Sequence, residues 1–209
     1  MTNIGIIFGR FNPVTSGHLH LGNHAQEGND IVFVVIIQGE KTGADLVRNP
    51  LPFDLKRRIL KQALPKAEVI RYNVADVPKI TVEIIKSVMS YDKKYHFSIY
   101  TGSDRVGDYA RQTQPKYIKQ IKKDLGDDTL DITFEIRTLE RDESSKSIEG
   151  YLASKVRAAI RSGKDGKAKK MMAVEDDDLY DEIKGYVMAG AKKEAVEAKI
   201  NSILEKING

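Results

Sequence analysis

The 209-residue chain is 41% hydrophobic and 31% charged, carries a formal net charge of +4 and has no cysteine. That composition suits one globular domain with a real core, and it excludes a disulfide framework, a thiol nucleophile and a cysteine-type zinc site. No apolar run approaches the ~18 residues of a membrane span and no basic leader precedes an apolar stretch, so a cytoplasmic protein without a membrane partner is expected.

Residues 4–8 (IGIIF) form a short apolar run, expected to be a buried strand, and helical spacing follows over 17–28. Residues 31–37 (IVFVVII) are continuous and β-branched, which predicts a strand buried on both faces. After a polar loop, helices are expected over 53–64, 80–89 and 115–125, and strands over 67–72, 96–101 and 131–137. Beyond residue 150 only helical patterns remain, with breaks expected at Gly163, Gly166, Gly185 and Gly190 and a last helix over 192–208. Alternation of strand and helix implies an α/β fold, a parallel sheet flanked by helices. Residues 1–150 are read as the sheet-bearing core and 151–209 as a helical region packed on it. The basic residues fall in scattered groups at 56–58, 119–123 and 164–170 with little aromatic interleaving. Solvated faces or a phosphate-holding site are therefore expected, and nucleic acid is not an expected partner.

The turn after the first strand, GRFNPVTSGHLHL over residues 9–21, carries the most chemistry. Chain reversal explains its glycines and proline but not Arg10, Thr15 and His18 together. In an open parallel sheet the ligand lies beyond the carboxyl ends of the strands, beside helix N-termini, where unpaired N–H groups and the helix dipole favour an anion. Gly17 lets a ligand approach the backbone, His18 and Thr15 can donate hydrogen bonds to phosphate, and Arg10 offers a guanidinium fork. The stretch is neither a Gly-Lys-Ser/Thr phosphate loop nor a Gly-x-Gly-x-x-Gly fingerprint.

With the spacing Gly9-x-Phe11-x-Pro13-x-Thr15-x-Gly17-His18-x-x-Leu21, the turn resembles the first motif of the nucleotidylyltransferase superfamily. Gly9-Arg10-Phe11-Asn12-Pro13 is most similar to nicotinamide-mononucleotide adenylyltransferases of the archaeal type, while Thr15 resembles phosphopantetheine adenylyltransferases. Asn49-Pro50-Leu51-Pro52-Phe53 with Lys56-Arg57-Arg58 is similar to the segment before the second helix in those enzymes; read without the resemblance, it is a turn and a solvated basic face. Gly102-Ser103-Asp104 resembles their second nucleotide-holding element, with Arg105 beside it. Tyr151 to Arg157 resembles the second signature, with Ser154 for its threonine, Lys155 next in line, Arg157 for its arginine, and Leu152 where the family has its first serine.

The resemblance implies a Rossmann-like nucleotide-binding core and a C-terminal region carrying the second phosphate motif. It implies transfer of a nucleoside monophosphate, AMP from ATP first, to a phosphorylated small molecule, with Thr15, His18 and Arg157 catalytic. Gly9, Arg10, Phe11, Asn12, Gly17, Gly102, Ser103, Asp104, Ser154 and Lys155 would bind nucleotide, with Lys41 and Arg48 in a phosphate-binding loop. Nicotinamide mononucleotide is the first acceptor, pantetheine phosphate the second, and cytidylyl transfer to a polyol phosphate the third. Mg²⁺ is expected as cofactor, held mainly by the triphosphate with no protein metal site; the oligomeric state is left open, with a homo-oligomer as one option.

The pairing of GSDRV with ASKVR also resembles nucleotidylyltransferase-like proteins of bacteriophages, whose role would be binding or structural, in host cytoplasm. A weaker echo of class I aminoacyl-tRNA synthetases is carried by Ser144-Ser145-Lys146-Ser147. His20 and His24 share a helix face without a third ligand and are expected to be solvated, His96 is expected to be structural, and the acidic run 176–178 is expected to cap a helix.

Overall fold

The computed structural model describes residues 1–40, 45–88, 93–138, 153–172 and 174–208, the last seven of these as backbone only. Among them, β1 (Thr2–Gly9), β2 (Ile31–Ile37), β3 (Ala67–Tyr72), β4 (Lys94–Thr101) and β5 (Asp131–Thr138) form one sheet in the order β3-β2-β1-β4-β5. Every neighbouring pair is parallel, with Ile6 opposite Phe33 on one side of β1 and Ile99 on the other. This is the parallel α/β sheet expected from the alternation of elements, in the Rossmann-like arrangement that the resemblance implied.

The central strands β1, β2 and β4 are apolar on both faces because both are covered. Val32, Val34 and Ile36 join Ile7 under α1 (Ser16–Gly28) and α2 (Phe53–Ala63), while Phe33 and Val35 join Ile4 and Ile6 under α3 (Val77–Val88) and α5 (Pro115–Leu125). A seven-residue helix α4 (Val106–Gln112), absent from the sequence expectation, buries Tyr109 against Val77 and Ile99.

The C-terminal helices α6 (Ala153–Arg161), α7 (Asp165–Met172) and α8 (Asp177–Asn208) extend the first of these clusters. Val156, Ile160, Met171, Met172, Tyr180, Ile183 and Val187 are buried there with Ile7 and Val34. Ser16 at the head of α1 donates to the Met171 carbonyl at 2.9 Å, fixing α7 to the start of α1. No described helix is long and apolar enough to cross a membrane.

Two sequence expectations about this region need correction. Only Gly163, in the left-handed region at φ 69°, ends a helix; Gly166 lies within α7, and Gly185 and Gly190 lie within α8. The last helix therefore begins at Asp177 rather than near residue 192, with the Asp176 carboxylate accepting from the Leu179 N–H as its cap. Gly190 serves a close approach: a Cβ there would stand 2.2 Å from the Leu46 carbonyl oxygen, a backbone atom. Gly190→Ala is expected to cost about 1–3 kcal/mol, the range for overpacking a closed contact, and a thermal melt would read it as a lowered Tm.

Candidate active site

The sheet order reverses at β1 and β4, and their carboxyl ends frame a cleft of about 370 Å³. Phe8, Gly9, Arg10 and His18 line one wall, and Thr101, Gly102, Asp104, Arg105 and Tyr109 the other. The two sequence segments quoted above, far apart in the chain, thus face each other at the switch point where open α/β sheets bind ligands.

On the β1 side the chain turns through residue 11 with φ at +51°, a left-handed conformation costing about 1–2 kcal/mol for a non-glycine residue. The Phe11 ring is buried beneath the turn, and Gly9 makes room for it, since a Cβ on Gly9 would lie 2.9 Å from that ring. The same ring stands 4.8 Å from the imidazole of His18, tilted by 52°. Asn12 is buried and wholly engaged: its Oδ1 accepts from the Leu51 N–H at 2.9 Å, and its Nδ2 donates to Arg10 O and Asn49 Oδ1, each at 3.3 Å. Expected as nucleotide contacts, Phe11 and Asn12 instead spend their side chains supporting the loop.

Thr15 caps α1 from a position 1% exposed, and its backbone N–H donates to His18 Nδ1 at 3.0 Å. A ring nitrogen that accepts from an amide bears no proton, so the neutral imidazole carries its proton on Nε2, a donor on the ring of a cleft residue. The Thr15 hydroxyl lies 2.9 Å from the same Nδ1. Thr15 therefore orients His18 rather than lining the cleft. Ser16 and Gly17 open α1, and by the geometry of any helix start their N–H groups have no carbonyl one turn back.

Arginines gather behind the loop that carries Asn12. Arg157, half-buried on α6, donates one guanidinium nitrogen to the Asn12 carbonyl. Burial pushes its pKa down, Arg161, Arg48 and Arg10 add to that, and Asp45 opposes it. Arg161, which the sequence reading passed over, donates from Nη2 to the Val47 carbonyl at 2.9 Å, and its Nε is buried without a partner among the described residues. Its signal was its spacing, four residues after Arg157. Arg48 is exposed and ion-paired with Asp45 at 3.8 Å. Ser154 and Lys155 are exposed in the first turn of α6, and Ser103 is exposed on the turn after β4. Lys41, Tyr151, Leu152 and the 144–147 stretch lie outside the described residues.

Beyond Arg105 the cleft runs on into a second hollow of about 400 Å³ that shares Ala75, Arg105 and Tyr109 and adds Asp108, Arg111, Gln112 and Tyr117. Burial pushes the Tyr109 phenol up to about 12, so it stays a hydroxyl donor. This extension also escaped the sequence reading, because α4 was not foreseen.

His20 and His24 are exposed on α1, where His24 lies 3.5 Å from Glu27, and His96 sits against Thr133 and Glu135 of β5. Among the described residues no group of three His, Asp or Glu side chains could hold a metal ion, and Asp104 is the carboxylate on the cleft wall.

The family model described as cytidylyltransferase-like matches residues 6–124, from β1 through α5. A Porphyromonas gingivalis protein named "Probable nicotinate-nucleotide adenylyltransferase" is 26% identical over 113 residues, 51% of this chain and 56% of that protein. The match thus spans about half the length of that curated relative. A bifunctional NMN adenylyltransferase/ADP ribose pyrophosphatase of Francisella tularensis, solved with AMP and a manganese ion, superposes with a TM-score of 0.56 at 15% identity, covering 98% of this chain and 56% of that one. The nicotinic acid mononucleotide adenylyltransferase of Plasmodium falciparum gives 0.54 at 14% identity, covering 90% and 96%. At these identities the two structures speak for the fold.

Proposed function

The chain belongs to the cytidylyltransferase-like family, and from that premise we propose that it is a nucleotidylyltransferase moving AMP from ATP to the phosphate of a small acceptor. The observation that carries the reading is the oriented imidazole: His18, held by Thr15 so that its Nε2 bears the proton, on a cleft wall opposite Gly102 and Asp104. An acceptor phosphate oxygen attacks the α-phosphorus, a new P–O bond forms, the bond to the β-phosphate oxygen breaks, and pyrophosphate leaves with that electron pair. No protein nucleophile is required. His18 donates to a non-bridging oxygen of the α-phosphate as charge builds there. Arg157, with Arg10, Arg48 and Arg161 around it, meets the departing pyrophosphate, and the open start of α1 adds its dipole.

Mg²⁺ would neutralise triphosphate charge, held by the phosphates and water with Asp104 as its protein carboxylate, a donor set that suits a cation keeping most of its waters. Calorimetry on the protein without nucleotide should show no tight Mg²⁺ binding, whereas chelation should abolish turnover; a tight site in the apo-protein would count against this.

The acceptor would lie along the extension toward Tyr109 and Tyr117. Nicotinamide mononucleotide is the first candidate, on the Gly9 to Pro13 motif and the named activities of the relatives; pantetheine phosphate and a polyol phosphate with CTP follow. A cytoplasmic setting suits these substrates. The deciding experiment is a pyrophosphate-release screen, four nucleoside triphosphates crossed with nicotinamide mononucleotide, pantetheine phosphate and glycerol phosphate. Release with ATP and nicotinamide mononucleotide is expected, and no release with any pair removes the enzyme reading.

A further inference from the structure

Lys56 was read in the sequence as one of three solvated basic residues, and Arg57 and Arg58 do face solvent. Lys56 is 0% exposed. It shares the apolar stripe of α2 with Leu55, Ile59 and Leu60, and its Nζ donates to the carbonyl of Arg10 at 3.2 Å. That carbonyl also accepts from Asn12 Nδ2, and the Asn12 carbonyl accepts from Arg157. Two cations on different helices therefore hold the carbonyls on either side of Phe11, the residue in the left-handed conformation.

We propose that Lys56 is a positioning residue of the nucleotide site, the inner half of a two-cation clamp that sets the Arg10–Phe11 peptide for phosphate. The reference to phosphate rests on the function proposed above; the clamp does not. A trans peptide is planar with its C=O and N–H opposed. Holding the Arg10 carbonyl toward the core thus turns the Phe11 N–H outward, on the side of the cleft that Gly9 and Arg10 line. Such an amide, beside the open start of α1, is a donor for a phosphate oxygen.

The energetics separate this role from a structural one. The charged group acting on the ammonium is Arg71 on β3; burial first and Arg71 second lower the Lys56 pKa to about 8. Between that value and the unfolded value of 10.5 the unfolded chain binds more protons, so stability rises with pH across the window. Charged Lys56 therefore costs stability at pH 7. A methionine of similar length keeps the packing and removes that cost.

Lys56→Met is accordingly expected to melt no lower than the wild type. Amide hydrogen exchange over residues 9–14 should quicken, and ATP affinity by calorimetry should weaken roughly tenfold, as loss of a charge-assisted hydrogen bond implies. The wild type itself, taken from pH 7 to 9, should show a smaller loosening of 9–14 beyond intrinsic base catalysis, because the neutral amine still donates to the Arg10 carbonyl but without its charge, and this readout needs no variant to fold. Exchange over 9–14 that is unchanged both in the variant and across this pH range overturns the clamp. A wild type that binds no ATP yet loosens as described overturns the proposed function and leaves the clamp standing.

Discussion

His18→Ala is expected to lower kcat about a hundredfold or more while raising KM for ATP little, because a donor aimed at charge developing in the transition state is typically worth ~3 kcal/mol. The expectation rests on the amide of Thr15, which leaves Nδ1 as acceptor and Nε2 as donor. The same substitution removes half of the capping box at the head of α1, so stability should fall too, by about 1 kcal/mol, the usual worth of a cap. That loss leaves the fold populated, so kinetics and melting are read on one sample. A His18→Ala protein that keeps wild-type kcat would remove the imidazole from the reaction.

The second large effect is at Arg157. One of its nitrogens is committed to the Asn12 carbonyl, and among the described residues the rest of the fork is left for phosphate. A lysine has a single ammonium on a shorter reach and cannot serve both in that geometry. Arg157→Lys should therefore depress kcat by about ten- to a hundredfold, more than it raises KM for ATP, if the bonds strengthen as the pyrophosphate leaves. A protein that only holds nucleotide would lose affinity and have no turnover to lose. Measuring ATP affinity and pyrophosphate release on both proteins separates these outcomes, and no change in either would take Arg157 out of the site.

Much of the sheet was legible because its strands are short, β-branched and bounded by turn residues; strands 31–37 and 67–72, and beside them the helix over 115–125, were read with the observed bounds. Val106–Gln112 was not, because a helix of two turns that buries only Tyr109 has no apolar period to read. Gly185 and Gly190 misled for a different reason. Glycine lowers helix propensity by ~1 kcal/mol, but burial of Ile183 and Val187 in the cluster with α6 outweighs it, and α8 runs through both. In the candidate site the motif named the right loop without dividing its labour. Buried Asn12 and exposed Arg10 look equally polar in a sequence, and only the Leu51 and Asn49 partners reveal which one faces inward. Lys56 was more nearly within reach, since it falls in phase with Leu55 and Ile59.

The segments that meet at the cleft are distant in the chain: Gly9 closes β1, Thr101 closes β4 only after β2 and β3 have paired on the other side, and α6 arrives last. A chain with β1, β2 and β3 in place owns the glycines and the imidazole but has no opposite wall. Nucleotide binding should therefore discriminate sharply between the finished molecule and anything less, and mass action turns that discrimination into ballast. At a free ligand concentration a hundred times the dissociation constant the native state gains about 2.7 kcal/mol, a sizeable share of an ordinary domain's stability. The melting temperature of this protein would then describe its solution as much as its sequence, and an apparently frail apo-form could be robust wherever its nucleotide is plentiful.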